Sequence, residues 1–486
     1  MVESLAKRGI SARRVVVPLA LCQFIASYAA SNMNVAISSI AHDLDTTVIG
    51  VQTAITLFTL TMAALMIPGS KLTDIWSRKR CFMLGLVVYG VGATIAALAF
   101  ALPVLILGYS LLEGIGSALM IPPIYIIITV LFTDLPSRAK AFGIVSAAAG
   151  VGAAAGPLIG GFITSALSWR ASFIAQALVV LAIILMARRI PALGRTGTKS
   201  SFDVVGAILS AAGLFLAVLG ILQSGTYGWF KSREDFTIGN TVVIHEGGIS
   251  PVWLFVAAGS VVLTLFFLYE RGRERAGREP LLPLRLFRSR VSDLGLVTQN
   301  VQWLIMQGSI FVISVFLQEV RHFSAIETGL ALTPATIGLL ASSSLAERMA
   351  KKRPQRTLIW SGFATTLAGM TLLMLFARAD SHILTFAPGL FLMGIGVGAM
   401  LTASVTVVQS SFPEADQGAI SGLSRSASNL GSSLGVAFAG SMLVSSLVEG
   451  NEHFLLALAS MVVIGLVGLA AALLLPRDAG RSSQAA

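Results

Sequence analysis

The stretch GVGAAAGPLIGG, residues 150–161, decides the fold of this chain. It lies in a run from 141 to 169 without Asp, Glu, Lys or Arg, which exceeds the roughly 20 apolar residues of a membrane-spanning helix. Small residues at four-residue spacing let helix backbones approach closely, and a proline inside a helix removes one backbone hydrogen bond. The residues of this pattern are Gly152, Gly156, Pro157, Gly160 and Gly161. We interpret the stretch as a membrane helix that packs tightly against its neighbours.

The composition of the whole chain is that of a polytopic membrane protein. Of its 486 residues, 55% are hydrophobic and 12% are charged, whereas soluble proteins average about 25% charged residues. Long charge-free runs separate the charges: 15–41, 46–70, 141–169, 204–230, 294–318, 383–413 and 454–476. The net charge of +11 does not indicate a nucleic-acid partner, because the Lys and Arg residues sit in short segments between these runs.

Polar and charged breaks divide the chain into predicted membrane spans. These fourteen spans lie near 15–40, 48–70, 81–101, 104–132, 138–164, 170–187, 204–224, 251–269, 293–318, 328–346, 357–377, 383–410, 418–447 and 453–475. All should be α-helices, because a segment inside a bilayer must satisfy its own backbone hydrogen bonds. The sequence therefore predicts an all-α polytopic protein with fourteen transmembrane helices.

The distribution of basic residues predicts the orientation of these spans. With an even number of spans both termini lie on one side, and cytoplasmic loops carry an excess of Lys and Arg. If both termini are cytoplasmic, cytoplasmic segments hold 28 of the 34 Lys and Arg residues. The exceptions are Arg170, Lys231, Arg233, Arg321 and Arg378 in outer segments and Arg425 within a span. We predict a multi-pass protein of the plasma membrane, the inner membrane of a bacterium.

Two long Arg-rich links, 188–203 and 270–292, divide the predicted spans into groups. They bracket spans 7 and 8, so we predict a six-helix bundle over 1–190, a two-helix insert over 191–290 and a second six-helix bundle over 291–486. The insert contains the one long outer loop, 225–250. Within this loop, FTIGNTVVI has a Gly-Asn pair between short β-prone runs, which is typical of a small hairpin.

Several motifs resemble those of one known family. GVGAAAGPLIGG resembles the antiporter motif on span 5 of the major facilitator superfamily, in its fourteen-span drug:proton antiporter branch. Pairs of small residues four apart are common in spans, but the full pattern is much rarer. WRASFIAQ (169–176) and PLLPLRLFRSR (280–290) are similar to other segments of that branch. The resemblance implies the major facilitator fold, with two six-helix bundles plus two inserted helices, a central cavity and alternating access.

PGSKLTDIWSRKR, residues 68–80, resembles the family's first cytoplasmic loop motif. Leu72, Asp74, Arg78 and Lys79 match this motif, whereas Ser70, Ile75 and Ser77 depart from it. In the family the aspartate and the basic residues of this loop latch the two halves together on the inner side. The resemblance therefore implies an inner-gate latch at Asp74, Arg78 and Lys79, and the alternative is that the basic residues only anchor the loop in the cytoplasm.

The chain departs from the family at three charged positions. Ala29 stands where the branch carries a span-1 aspartate, Ser110 replaces a span-4 arginine, and Ser428 replaces a span-13 arginine. Two other charges stand nearby, Glu113 and Arg425, and we take them as candidates for proton coupling.

Glu113 is the only charged residue between Arg80 and Asp134, near the middle of span 4. A charge at the bilayer centre costs about 2.5 kcal/mol or more, and such residues are functional hypotheses by default. A carboxyl group exposed in turn to each side could load a proton outside and release it inside. The alternatives are a neutral Glu113 that hydrogen-bonds between helices and, for Arg425, a side chain that reaches the cytoplasmic interface.

Other polar residues of the spans are candidates for the wall of the substrate cavity: Asn32, Asn34, Gln299, Gln302, Trp303, Gln307 and Asn429. Gln299 and Gln302 are three apart and can share a helix face. Trp303 could offer its ring to a hydrophobic or cationic ligand. For any single polar residue, hydrogen bonding between helices is an equal alternative.

The sequence contains no motif that indicates an enzyme. No phosphate-binding loop and no paired-histidine metal motif occurs, so we expect no catalytic residue, no metal and no cofactor. We predict a proton-coupled secondary active exporter of hydrophobic or amphipathic compounds such as drugs, acting as a monomer among membrane lipids. The alternatives are an exporter of lipids or another endogenous amphiphile, and a non-transporting membrane sensor or assembly partner.

Overall fold

The computed structural model describes residues 11–132, 134–190, 202–238, 241–350, 353–378, 380–412, 416–444 and 451–477. Apart from one hairpin and one isolated β-bridge, every regular element in these ranges is helical, which confirms the all-α prediction. The long helices are α1 (Ala12–Asn32), α2 (Val48–Ile75), α3 (Arg78–Ala97), α4 (Leu102–Leu131), α5 (Leu135–Ala166), α6 (Trp169–Ala187), α7 (Val204–Leu222), α8 (Pro251–Arg275), α9 (Arg290–Val315), α10 (Thr333–Ala350), α11 (Gln355–Phe376), α12 (Phe386–Gln409), α13 (Gln417–Val444) and α14 (Asn451–Leu474).

Most of these helices have the length and composition of membrane spans. Among the described residues, twelve helices are long and apolar enough to cross a membrane, or thirteen if the bent pair Ala325–Ala331 and Thr333–Ser343 is one span. Helix α13, whose 28 residues include seven serines, is not among them. The count of fourteen spans therefore stays a prediction.

The first predicted span is not one continuous helix. Helix α1 is followed by a 3-10 turn, Met33–Val35, and by a short helix, Ile37–Asp43. Gln318, beyond the end of α9, bonds to this break: its amide donates to the Asn34 carbonyl at 2.9 Å and accepts from the Ser38 N–H at 3.1 Å. The break thus supplies backbone groups that join the first span to the second half of the chain.

Helices α2 and α13 run antiparallel against each other along their whole length. Near one end the Gln52 amide donates to the carbonyl groups of Val436 and Ala437, each at 3.1 Å. Near the other end the Ser70 hydroxyl donates to the Gly418 carbonyl at 3.3 Å. Ser426 and Ser433 of α13 also donate to carbonyl groups of α2, so these serines face another helix rather than lipid.

The two helices of the predicted insert, α7 and α8, pack closely on each other. A Cβ atom on Gly259 of α8 would lie 2.6 Å from the backbone nitrogen of Ala217 in α7, so glycine is required for this approach. Helix α7 in turn packs beside α2 and α13, where Val218 joins Leu60 and Ala437 in one apolar cluster. The division of the chain into two bundles and an insert stays a prediction.

The loop between α7 and α8 contains the predicted hairpin. Strands β1 (Phe236–Ile238) and β2 (Thr241–Ile244) pair antiparallel, with Ile238 opposite Thr241. The Gly239-Asn240 pair predicted for the turn lies outside the described residues. The ring of Phe236 packs on Tyr227 and on Phe255 of α8, so the hairpin is held to the insert.

Candidate functional site

A cavity of about 1890 Å³ lies between the two halves of the chain. Helices α1, α2, α4 and α5 line it on one side, and α9, α10, α12 and α13 line it on the other. Much of the wall is apolar and flexible, with Met62, Met66, Ile121, Met306 and Leu401 among its residues. Methionine-rich surfaces adapt to ligands of different shapes, so this wall suits hydrophobic compounds.

One end of the cavity is closed by contacts between the halves. Besides the Gln318 contacts with the break after α1, the Ser38 hydroxyl bonds to Glu319. The Ser165 hydroxyl of α5 accepts a hydrogen bond from the Ile326 N–H at 3.0 Å. At the opposite end the cavity wall includes charged residues of helix ends and of the link between α8 and α9: Lys71, Arg78, Arg138, Glu274, Arg278, Glu279, Arg285, Arg288 and Asp416. The cavity therefore reaches the end that the charge distribution predicts to be cytoplasmic.

The glycines of the GVGAAAGPLIGG stretch lie on two faces of α5. Three of these glycines face α1: Gly152, Gly156 and Gly160. A Cβ atom added to Gly152 would collide with the Phe24 carbonyl, and one added to Gly160 would lie 2.8 Å from the Asn32 Cβ. These residues are four apart and form one stripe on the helix. The stripe allows α1 and α5 to touch backbone to backbone within the first half.

Gly161 faces the other half of the chain. A Cβ atom there would lie 2.5 Å from the carbonyl oxygen of Ala325, in the short helix Ala325–Ala331 before α10. Gly329 of that short helix lies against the Pro157 carbonyl in the same way. This second contact forms part of the closed end of the cavity.

Four of the predicted cavity residues line the cavity: Gln299, Trp303, Gln307 and Asn429. Gln299 accepts a hydrogen bond from the Ser424 hydroxyl of α13 at 2.8 Å. The Gln307 amide donates to the Ala30 carbonyl of α1 at 3.4 Å and so joins the two walls.

The other three predicted cavity residues are buried away from it. Asn32 donates to Ser172 of α6 at 2.8 Å, Asn34 lies at the closed end, and Gln302 accepts from Ser404 of α12 at 3.0 Å. Gln299 and Gln302 therefore do not both point inward, because α12 and α13 approach α9 on different faces.

Arg425 lies on the cavity wall away from the charged rim. Its guanidinium donates a hydrogen bond to the Tyr125 hydroxyl of α4 and lies 5.1 Å from the centroid of that ring. Among the described residues that line the cavity, it is the one charged side chain that is not at a helix end or in the connecting segments. The sequence predicted a role for Arg425, but it carried no signal for Tyr125.

Glu113 is completely buried and does not line the cavity. It ends a π-helical segment of α4, Ile106–Glu113, and lies against α3, where Gly92 makes room for its backbone. The nearby Tyr89 hydroxyl donates to Gln176 at 2.7 Å. Neither carboxyl oxygen of Glu113 has a hydrogen-bond partner among the described residues.

The predicted inner-gate latch at Asp74, Arg78 and Lys79 stays a prediction. Lys79 donates to the carbonyl oxygens of Arg188, at 2.9 Å, and Ile190, at 2.5 Å, so it ties the start of α3 to the end of α6. Arg78 lines the rim of the cavity, and the side chain of Asp74 lies outside the described residues.

Two ion pairs that the sequence did not predict span this rim. Lys71 of α2 pairs with Glu279 of the link at 2.9 Å, and Arg285 of the link pairs with Asp416, just before α13, at 2.5 Å. In the sequence, the acidic Glu279 within the Arg-rich link 270–292 was the signal that could have indicated the first of these pairs.

Comparison with known proteins gives consistent results. A sequence model described as Major Facilitator Superfamily matches residues 19–436 and 296–486. The chain is 29% identical to the puromycin resistance protein pur8 of Streptomyces alboniger, over 90% of this chain and 83% of that protein. It is 28% identical to a probable actinorhodin transporter of Streptomyces coelicolor, over 84% of this chain and 68% of that protein.

A solved structure shares the fold. The crystal structure of a D-xylose-proton symporter superposes with a TM-score of 0.62 over 96% of this chain and 99% of the other, at 14% sequence identity.

Proposed function

The chain belongs to the Major Facilitator Superfamily, and from this premise we propose that it is a proton-coupled exporter of hydrophobic or amphipathic compounds. It is a multi-pass membrane transporter and not an enzyme. Its relatives are named for drug resistance and antibiotic transport. The proposal adds the direction of transport, the source of energy and the class of substrate.

The observation that carries the proposal is the cavity between the halves. A space of about 1890 Å³ with a largely apolar wall has room for a drug-sized molecule. It is closed at one end and reaches the charged rim at the other, as one of two alternating states would be. We take the rim to be cytoplasmic, because the Lys and Arg distribution predicts that orientation.

The cavity lies within one chain, so a monomer with the predicted two bundles and insert would suffice for transport. The plasma membrane, with both termini in the cytoplasm, is the location that fits an exporter of this kind.

We assign the proton to Glu113. Its carboxyl group is buried in α4 without a hydrogen-bond partner in the described part of the chain, and an ionised carboxylate in that position would be very costly. A neutral carboxyl group that becomes charged only when a conformational change admits water would couple proton movement to that change. The Tyr89 hydroxyl, which donates to Gln176 at 2.7 Å, lies beside this carboxyl group.

Proteoliposomes with an imposed proton gradient test the proposal. Gradient-driven movement of a fluorescent amphipathic dye, abolished by a proton ionophore and absent in empty liposomes, is expected. Movement of labelled phospholipid but not of dye would instead support the lipid exporter. Failure of the gradient to move either compound would contradict transport and favour the sensor or assembly partner.

A further inference from the structure

Two carboxyl groups meet where α7 begins and α8 ends, outside the central cavity. Asp203 is 2% exposed and Glu270 is 0% exposed. Asp203 caps α7, because its Oδ1 accepts the Gly206 N–H at 3.0 Å and the Tyr269 hydroxyl at 3.3 Å. Neither residue belongs to the site described above.

The remaining oxygens of the two carboxyl groups converge over Gly206. A Cβ atom on Gly206 would lie 2.8 Å from Asp203 Oδ2 and nearer still to Glu270 Oε1. Both oxygens are buried, and neither has a hydrogen-bond partner in the described part of the chain. Glycine at this position leaves room for the two oxygens to face each other.

Among the described residues, the charges in this pocket do not balance if both acids are ionised. In the described part of the chain, the one ion pair of either acid is with Arg273, whose Nε lies 3.1 Å from Asp203 Oδ2. The Arg273 N–H groups donate instead to the Glu279 carbonyl, at 2.9 and 3.3 Å, and to Tyr269. Two carboxylates against one guanidinium would leave a buried negative charge, which is strongly unfavourable.

We propose that Asp203 and Glu270 share one proton and form a proton-binding site in the insert, distinct from Glu113 and from the cavity. With the proton present, the pair carries one negative charge, which Arg273 balances. The proton also supplies the missing donor, because one carboxyl O–H can bridge the facing oxygens.

The proton site lies directly beneath the link between α8 and α9. Glu270 Oε2 accepts the Leu282 N–H at 3.4 Å. Leu282 is buried in an apolar cluster that includes Ile67 of α2 and Ile420 of α13. Loss of the proton would place an unbalanced charge under this segment, so the site would control how firmly the link is held at the rim between the two halves.

The other charged groups near the site have partners that point elsewhere. Glu274 accepts the Leu284 N–H at 2.8 Å, the Glu279 carboxylate pairs with Lys71, and Arg285 pairs with Asp416. Arg285 therefore does not supply a second cation for Asp203 and Glu270.

Infrared spectroscopy of the purified protein tests for the shared proton. In a Glu113→Gln background, a protonated-carboxyl C=O band is expected at neutral pH. The band should disappear in Glu270→Gln and shift or disappear in Asp203→Asn. Glu274→Gln is the matched control, because this neighbouring acid also binds a link N–H but is exposed, and the band should remain. A spectrum that Glu270→Gln and Asp203→Asn leave unchanged would overturn the proposal.

The pH dependence of thermal unfolding provides a second test. As pH rises and the folded protein loses the shared proton, the Tm of the wild type should fall. Glu270→Gln, which keeps a neutral side chain at every pH, should reduce this fall, whereas Glu274→Gln should not. Equal slopes in all three proteins would contradict the proposal. If Glu270→Gln does not fold, Asp203→Asn and a pH titration of the infrared band decide the question.

Discussion

The guanidinium of Arg425 on α13 donates a hydrogen bond to the Tyr125 hydroxyl on α4 and lies against that ring, so the pair joins the two walls of the cavity. Tyr125 carries no charge, and no acidic residue among the described ones lines this part of the wall. An arginine has five N–H donors, so Arg425 retains capacity for an anionic ligand. We therefore expect amphiphiles with an acidic head group to bind better than cationic ones.

We expect Arg425→Gln to weaken binding of brominated dodecanoate about tenfold or more, since hydrogen bonds to charged groups contribute about 1.5–3 kcal/mol. Binding of the matched cation, dodecyltrimethylammonium brominated in the same way, should not weaken. Quenching of Trp303 fluorescence measures both affinities, with Trp303→Phe to identify the signal. Arg425→Lys should retain most of the preference. An unchanged ratio of affinities in Arg425→Gln would refute the role of this arginine.

Glu113→Gln should stop transport that is driven by a proton gradient. Movement of substrate down its own concentration gradient should continue. The reason is that an amide keeps the shape of the neutral acid but cannot release a proton. Transport in proteoliposomes over a range of pH measures the effect. Ser117→Ala, a buried change one turn further along α4, should leave driven transport intact. If Glu113→Gln keeps the wild-type pH dependence, Glu113 does not carry the proton.

Gly161→Val should open the closed end of the cavity, because its side chain would collide with the Ala325 carbonyl. Labelling of a cysteine introduced at Ser38, which bonds to Glu319 at this end, should become several-fold faster from the outer side. The native Cys22 and Cys81 are buried. Gly150→Val is the matched control in the same stretch, since nothing lies within 4 Å of its added Cβ. Equal labelling rates in the two variants would rule out this function for Gly161.

Gln52→Leu should lower the stability of the protein, because it removes the two hydrogen bonds from α2 to the Val436 and Ala437 carbonyls. The expected loss is about 1–3 kcal/mol, seen as a lower Tm in detergent. Thr53→Val is the control, since its hydroxyl donates within its own helix, to the Ile49 carbonyl at 2.8 Å. A Tm for Gln52→Leu no lower than that of Thr53→Val would show that these bonds add little.

Patterns within short segments of the sequence were enough to predict the helices and the family of this protein. A membrane helix must be long, apolar and internally hydrogen-bonded, so charge-free runs located most helices to within a few residues. Helix α13 was located equally well, but the sequence did not show what its serines contact. Ser426 and Ser433 donate to carbonyl oxygens of α2, at 2.6 and 3.1 Å. No local pattern in the sequence identifies α2 as their partner.

The sequence by itself determined which residues are small, polar or charged within each span, and it singled out Glu113, Arg425 and the glycines of α5. Only the tertiary structure decided which way each of them faces. It set Gly160 against α1 and Gly161 against Ala325, and it left Glu113 outside the cavity wall. Helical periodicity defines the faces of a helix, but which neighbour covers each face depends on contacts between segments hundreds of residues apart.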